Sequence, residues 1–467
     1  MQKIKSKKKL FLYGMAGLGI NMLNLIIGSY LCDALMVEGF QENIENWTYF
    51  NKTLVVAGVW SVMIAIAKIL DGFIDIPFAG WTDKLKSKWG KRRPAIVLGM
   101  VPMLIAYVLF LFPLQNAEHS IINTIWFGLM LCAFYAFYTL TMVTYYATFS
   151  EIVDNEQDRV SLSNFKTIFD VIYFVLGYAL IPAFIGSANI RIIALAFLPL
   201  SLTMLIPLFM IKEKSTLDKD IEEYKKRGEL SDEEEKEEHV GVIESFKYAL
   251  KNKSFMIWMV VYFALEFSTQ MFLTGQNVLY SGYMGFEGFN ITIIMACAFA
   301  PVPFTLILYN KIVKKHGIRK GYIFSLTAYL LALVVTLLCS QKIIPNENIR
   351  LIVAAIGGIL SAFGTGCFFS INYTIPSTLA DNERKETGIS HPAMYFAVQG
   401  LFGGVATAVS TGLVWVNLKN IGGGQFVWIM PIVVILGGLV SMFMTKFMNK
   451  DVSEIGKIKE KGLTNEC

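Results

Sequence analysis

The stretch T53-LVVAGVWSVMIAIA-K68-IL-D71-GFI-D75-IPFAG-W81 decides the fold. It is apolar or small throughout, apart from one lysine and two aspartates, and it exceeds the roughly 20 residues needed to cross about 30 Å of hydrocarbon. At 100° per residue, offsets of three and seven place Lys68, Asp71 and Asp75 within about 60° of one another on a single helix face. Each would cost about 2.5–3.5 kcal/mol at the centre of a lipid-facing helix. The stripe must therefore face protein or a water-filled space. Ionisable groups kept at that cost mark the path of an ion or a solute.

The rest of the chain repeats the same theme. Of 467 residues, 55% are hydrophobic and 16% charged, against about 25% charged in soluble domains. Twelve apolar runs are long enough to span: 10–36, 53–82, 94–114, 122–149, 165–187, 189–211, 254–283, 290–312, 321–340, 349–378, 391–417 and 425–448. The chain reads as an all-α membrane protein. Several runs exceed 25 residues, and Pro77, Pro182, Pro301, Pro303 and Pro376 are placed to break them.

The net charge of +5 does not point to nucleic acid, because the basic residues alternate between loops. Lys3, Lys5, Lys7, Lys8 and Lys9 precede the first run. Lys84 to Arg93 follow the second, and Lys311 to Lys320 the eighth, while the intervening loops are poor in lysine and arginine. The positive-inside rule places both termini in the cytoplasm. The N-terminal run has no small-residue cleavage pattern and reads as a retained span. Cysteines and histidines are scattered without metal-ligand or disulfide spacing. No metal site and no cofactor are expected.

Two different loop motifs recur at one offset. D83-KLKSKW-G90-KRR after the second run matches N310-KIVKKH-G317-IRK after the eighth, with the glycines 317 − 90 = 227 positions apart. Asp154-Asn155-Glu156 matches Asp381-Asn382-Glu383, again 381 − 154 = 227. This is an internal duplication of six spans. The expected organisation is a bundle over 1–211, a charged cytoplasmic linker over 212–253, a second bundle over 254–449 and a tail over 450–467. Such a duplicated unit is the pattern of the major facilitator fold, a two-bundle carrier that alternates access. Gly90 and Gly317 permit tight turns, and the basic cluster Lys91, Arg92 and Arg93 can latch neighbouring acids and helix ends.

The residues then resemble one branch of that fold, the glycoside–pentoside–hexuronide:cation symporters. The resemblance is carried by D71-GFI-D75-I-P77-FA-G80-WT-D83-KLKSKW-G90-KRR-P94, by E151-IV-D154-NEQD-R159, and by D381-NERKETG388-I. It implies that Asp71 and Asp75 bind the coupling cation, with Thr139 as a hydroxyl ligand and Lys68 compensating the empty site. Independently, two carboxylates one turn apart repel until a cation or proton arrives. The family's amide beside the second aspartate is Ile74 here, which favours H⁺ over Na⁺. Asp83, Glu151 and Arg159 join Gly90, Gly317 and the basic cluster as gating-loop candidates.

The resemblance places solute contacts at Asn21 and Lys166; Val398-Gln399 matches the family in span eleven, and Gln399 is a candidate to bond solute hydroxyls. An acidic contact of span four falls on Met142, and a lysine of span eleven near Gly404. Among other polar residues in apolar runs, Tyr145 and Tyr146 can stack on a ring, Asn277 can bond hydroxyls, and Glu266 can titrate or bind solute. The bland readings stand beside each: aromatic packing, interhelical bonding, and an i, i+4 pair between Lys166 and Asp170. The expectation is a plasma-membrane symporter of a sugar, glycoside or hexuronide, coupled to H⁺ or Na⁺, in contact with lipid and acting as a monomer. An amphipathic lipid or drug carrier and a transport-inactive sensor are the alternatives. An enzyme is disfavoured, for no nucleophile–base pair is evident.

Overall fold

The computed structural model describes residues 3–40, 44–83, 85–153, 156–227, 242–387 and 392–457. Among these, twelve helical stretches are long and apolar enough to cross a membrane: Lys7–Leu35, Ala57–Asp75, Arg92–Phe110, Ile121–Phe149, Ile168–Ile185, Ile190–Met210, Lys253–Tyr283, Gly288–His316, Ile318–Leu338, Glu347–Pro376, Met394–Gly424 and Ile429–Phe447. We number them spans one to twelve. Helices are the outcome that lipid imposes, since an open backbone donor or acceptor finds no water there. The bounds lie within seven residues of those read from hydropathy, and most within four.

Two of the five prolines behave differently from expectation. Pro77 lies inside the helix Ala57–Asp83 and Pro376 inside Glu347–Thr387, and neither interrupts it. Inside a bundle, neighbouring helices and hydroxyl side chains tolerate the missing donor. Pro301 does divide span eight, which is built from Gly288–Phe299 and Val302–His316.

Irregularity also appears as π-helical turns: Ile27–Leu31 in span one, Leu176–Leu180 in span five, Leu279–Tyr283 in span seven and Ala408–Trp415 in span eleven. These are the first and fifth spans of each half, so the duplication extends to backbone defects. The bonds Cys32 N–H to Ile27 O (3.1 Å) and Met284 N–H to Leu279 O (3.0 Å) close the wider turns. Such turns collect at functional sites.

The paired loops also repeat. Gly90 and Gly317 have φ of +84° and +86°, a region that side chains with a Cβ avoid. Glu213, just past span six, accepts from the backbone N–H of Arg92 (2.9 Å) and Arg93 (3.4 Å). In the second half, Ile318 N–H donates to Ile455 O just past span twelve (3.0 Å). Each loop is thus held by the segment leaving its own half.

The chain separates into two compact units. The first comprises 1–240 together with 270–292 and 403–430; the second comprises 241–269, 293–402 and 431–467. Parts of spans seven and eleven therefore belong with the first six spans. Within the first unit, a Cβ on Gly19 would lie 1.8 Å from Leu200 O, and one on Gly412 2.8 Å from Ala65 N. Spans one and six, and spans two and eleven, meet backbone to backbone through small residues. Within the second unit, Ser441 Oγ donates to Val261 O (2.8 Å) and shares a 2.6 Å hydrogen bond with the Tyr322 hydroxyl.

Candidate functional site

Lys68, Asp71 and Asp75 lie on one continuous helix, Ala57–Asp83. The Thr139 hydroxyl of span four donates to Asp71 Oδ1 at 2.7 Å. Asp71 interacts electrostatically with Lys68 on one side and Asp75 on the other. Lys68 Nζ stands 3.9 Å above the centre of the Tyr135 ring, a cation–π contact that holds the ammonium beside the acids. Three of the four residues expected to form the cation site are brought onto one helix, with the fourth touching Asp71.

Next to this stripe the first unit encloses a cavity of about 190 Å³. Span one contributes Asn21, Asn24 and Gly28 to its wall, span two Lys68, span four Tyr135 and span eleven Trp415. Residues of the π-helical turns Ile27–Leu31, Leu176–Leu180 and Ala408–Trp415 line it as well, namely Ser29, Tyr178 and Thr411. Asp71 and Asp75 are not among its lining residues; Lys68 joins the two sites.

The expected solute contacts divide. Asn21 lines the cavity, yet its oxygen accepts from the Tyr138 hydroxyl (3.1 Å) and its Nδ2 donates to Asp170 (3.4 Å). Asp170 in turn forms the i, i+4 ion pair with Lys166, whose Nζ lies 5.1 Å from the Tyr146 ring centre. Asn21, Tyr146 and Lys166 thus belong to one network. Lys166 lies inside the helix Glu156–Val175, two residues before span five begins at Ile168. Tyr145 is fully buried, and its hydroxyl donates to Tyr13 O (2.6 Å). That places it in packing between spans one and four. Asn277 donates to Ser29 O (3.4 Å). In the second unit, Gln399 accepts from Trp258 Nε1 and donates to Asn372 O, both at 2.9 Å, tying spans seven, ten and eleven. Glu266 is partly buried on span seven.

The departures from the family pattern have visible causes. A Cβ on Gly404 would lie 3.0 Å from Lys68 O and 3.1 Å from Gly72 Cα, so a side chain there presses on the backbone of span two. Met142 is buried against Gly17 of span one.

Sequence reasoning missed a buried cluster at the end of span one away from the N-terminus. Trp415 Nε1 donates to both carboxylate oxygens of Asp33 (3.0 and 3.2 Å). Lys419, wholly buried, lies 3.7 Å from Asp33 Oδ1 and donates to Asp33 O (2.7 Å) and Met36 O (3.2 Å). Beside it the backbones close up: a Cβ on Gly282 would fall 1.9 Å from Gly39 O, and one on Gly424 2.1 Å from Gly39 N. Asp33 and Trp415 also line the cavity. An acid and a lysine, each near the end of an apolar run, were the sequence signal, but residues 386 apart carry no periodicity that pairs them.

At the opposite end, Arg92 is buried and its guanidinium donates to the Thr82 hydroxyl (3.4 Å), while Lys91 precedes the helix Arg92–Phe110. The side chains of Asp83, Glu151, Arg159, Asp381 and Glu383 lie outside the described residues, as do Asp154, Asn155 and Gly388.

Comparisons agree with this architecture. The D-xylose-proton symporter superposes with a TM-score of 0.62 at 13% identity, covering 96% of this chain and 99% of that one. A nucleoside transporter superposes at 0.61 with 15% identity, covering 95% and 100%. Both show the fold alone. A glucuronide carrier protein homolog of Escherichia coli K12 is 28% identical over 143 residues, 28% of this chain and 30% of that one. An uncharacterized symporter of Synechocystis is 28% identical over 129 residues, 26% and 24% of the two chains. The chain aligns with less than a third of the length of these curated relatives. A family model described as MFS/sugar transport protein matches residues 12–426. The chain is a multi-pass membrane protein of the MFS/sugar transport protein family, a transporter rather than an enzyme.

Proposed function

We propose that this chain is a cation-coupled symporter of a small hydroxylated solute, a sugar or hexuronide, with H⁺ favoured over Na⁺. One observation carries the reading. The carboxylates Asp71 and Asp75 stand one turn apart on span two, Asp71 held by Thr139, while Lys68 on the same face lines the adjoining cavity. Binding a cation relieves the repulsion between the acids, and Lys68 transmits that change to the cavity wall. The cavity of about 190 Å³ falls below the roughly 300–1,000 Å³ of drug-sized pockets. That favours a single-ring solute over a lipid. The glucuronide carrier homolog adds support for a hexuronide.

The reading includes alternating access, in which the buried Asp33–Lys419–Trp415 cluster and the close backbone contacts at Gly39 form and part at one end of the cavity. The basic loops assign the termini to the cytoplasm, so this end faces outward in a plasma membrane, with the monomer as the working unit.

The test is uptake by the purified chain in proteoliposomes, using D-xylose, D-glucose, D-glucuronate and methyl β-D-glucuronide under imposed H⁺ or Na⁺ gradients. Accumulation driven by a cation gradient supports the reading. Gradient-independent movement of an amphipathic probe alone would replace it with a lipid or drug carrier, and no movement of any solute with a sensor.

A further inference from the structure

Two residues of the cavity wall each bury a polar atom that the described protein leaves unpaired. Asn24 Oδ1 and the Tyr135 hydroxyl have no hydrogen-bond partner among the described residues, and both residues line the cavity. Tyr135 is only 1% exposed. Burying such an atom without a partner costs free energy, which a ligand reaching it would recover. The other unpaired buried atoms, such as Trp60 Nε1 and Ser281 Oγ, belong to residues away from this wall.

The neighbours on the wall are engaged. Both ends of the Asn21 amide are bonded to Tyr138 and Asp170. Ser29 and Tyr178 bond each other at 2.9 Å, and the Thr411 hydroxyl donates to Thr407 O (2.8 Å). Asn24 sits three residues after Asn21, on the adjoining turn of span one. Four residues further, a Cβ on Gly28 would lie 3.3 Å from the Tyr135 hydroxyl oxygen. Tyr135 therefore reaches span one one turn from Asn24, about 6 Å along its axis. Its ring face meanwhile carries Lys68, which connects it to the helix of Asp71 and Asp75.

We propose that Asn24 and Tyr135 are the specificity residues of this carrier. Asn24 Oδ1 accepts from one hydroxyl of a ring solute, and the Tyr135 hydroxyl bonds a second hydroxyl one turn away. The proposal rests on reading the cavity as the solute site, and it moves recognition from Asn21, where the family pattern puts it, to a pair that the family pattern does not contain.

The test is solute-induced stabilisation of the purified full-length chain in detergent, with D-xylose, D-glucose, D-glucuronate, methyl β-D-glucuronide and the monodeoxy analogues of whichever stabilises. Tyr135→Phe and Asn24→Leu should each raise the apparent Kd at least tenfold. Tyr135→Phe should also abolish the discrimination against one deoxy analogue. Its melting temperature without solute should equal or exceed that of the parent, because it removes an unpaired hydroxyl and keeps the ring beneath Lys68. An unchanged Kd in both variants, for a solute that stabilises the parent chain, overturns the proposal. So does a lowered melting temperature for Tyr135→Phe, which would make the hydroxyl structural. If no solute stabilises the parent, the cavity is not a site for such solutes, and the broader reading fails together with this one.

Discussion

Lys419→Met probes most sharply the proposal that the Asp33–Lys419 pair closes one end of the cavity. The lysine is 0% and its partner Asp33 8% exposed in their side chains, with 3.7 Å between charges. Removing the ammonium leaves the carboxylate buried with Trp415 as its remaining donor, and strips bonds of 2.7 and 3.2 Å from the carbonyls of Asp33 and Met36. Breaking a buried pair from one side costs about 3–5 kcal/mol. If that cost falls on the state closed at this end, the balance against the open state moves by about two to three and a half powers of ten, at 1.4 kcal/mol per decade. Cys32 reports the change, because it is buried, lines the cavity and adjoins Asp33. In a chain with Cys32 as its sole thiol, an impermeant methanethiosulfonate applied from the side away from the termini should react at least tenfold faster after Lys419→Met. Asp33→Asn in the same chain should recover part of the loss, because the orphaned charge is gone. Unchanged labelling, or strictly additive single and double variants, would refute the idea that this pair holds the end closed.

Three further outcomes are expected. Asp75→Asn should abolish gradient-driven accumulation while leaving solute exchange across the vesicle measurable; normal accumulation would remove the acid from coupling. Glu213→Ala should destabilise the start of span three by about 0.5–2 kcal/mol, the scale of a lost helix cap, with Glu213→Gln costing less, and equal melting temperatures for the two variants would contradict the clamp. Gly404→Leu should destabilise the chain by about 1–3 kcal/mol, since its side chain would meet the backbone of Lys68 and Gly72; an unaltered melting curve would show that spans two and eleven are not packed closely there.

The twelve spans were legible because lipid demands long apolar helices, and the bounds in the structure differ by seven residues at most. The duplication was legible from two loops, and the positive φ of both Gly90 and Gly317 shows why glycine recurs at that offset. Prolines were a partial guide. Pro182, Pro301 and Pro303 stand where helical segments begin, but Pro77 and Pro376 sit within unbroken helices, because a missing donor inside a bundle is tolerated, and the π-helical turns have no sequence marker. The charge stripe was readable from helical periodicity alone, and its Thr139 contact from the family pattern. The Asp33–Lys419 pair, the Glu213 clamp and the unpaired Asn24 and Tyr135 atoms depend on long-range packing. Composition and spacing do not encode which distant helix face a side chain meets.

Proteoliposome uptake of D-glucuronate and D-xylose, comparing the parent chain with Asp71→Asn and Asp75→Asn under an imposed proton gradient, tests the coupling claim most directly. Concentrative uptake by the parent that collapses to equilibration in both variants is the predicted result. Concentrative uptake that survives the loss of either carboxylate would show that the gradient acts elsewhere in the protein.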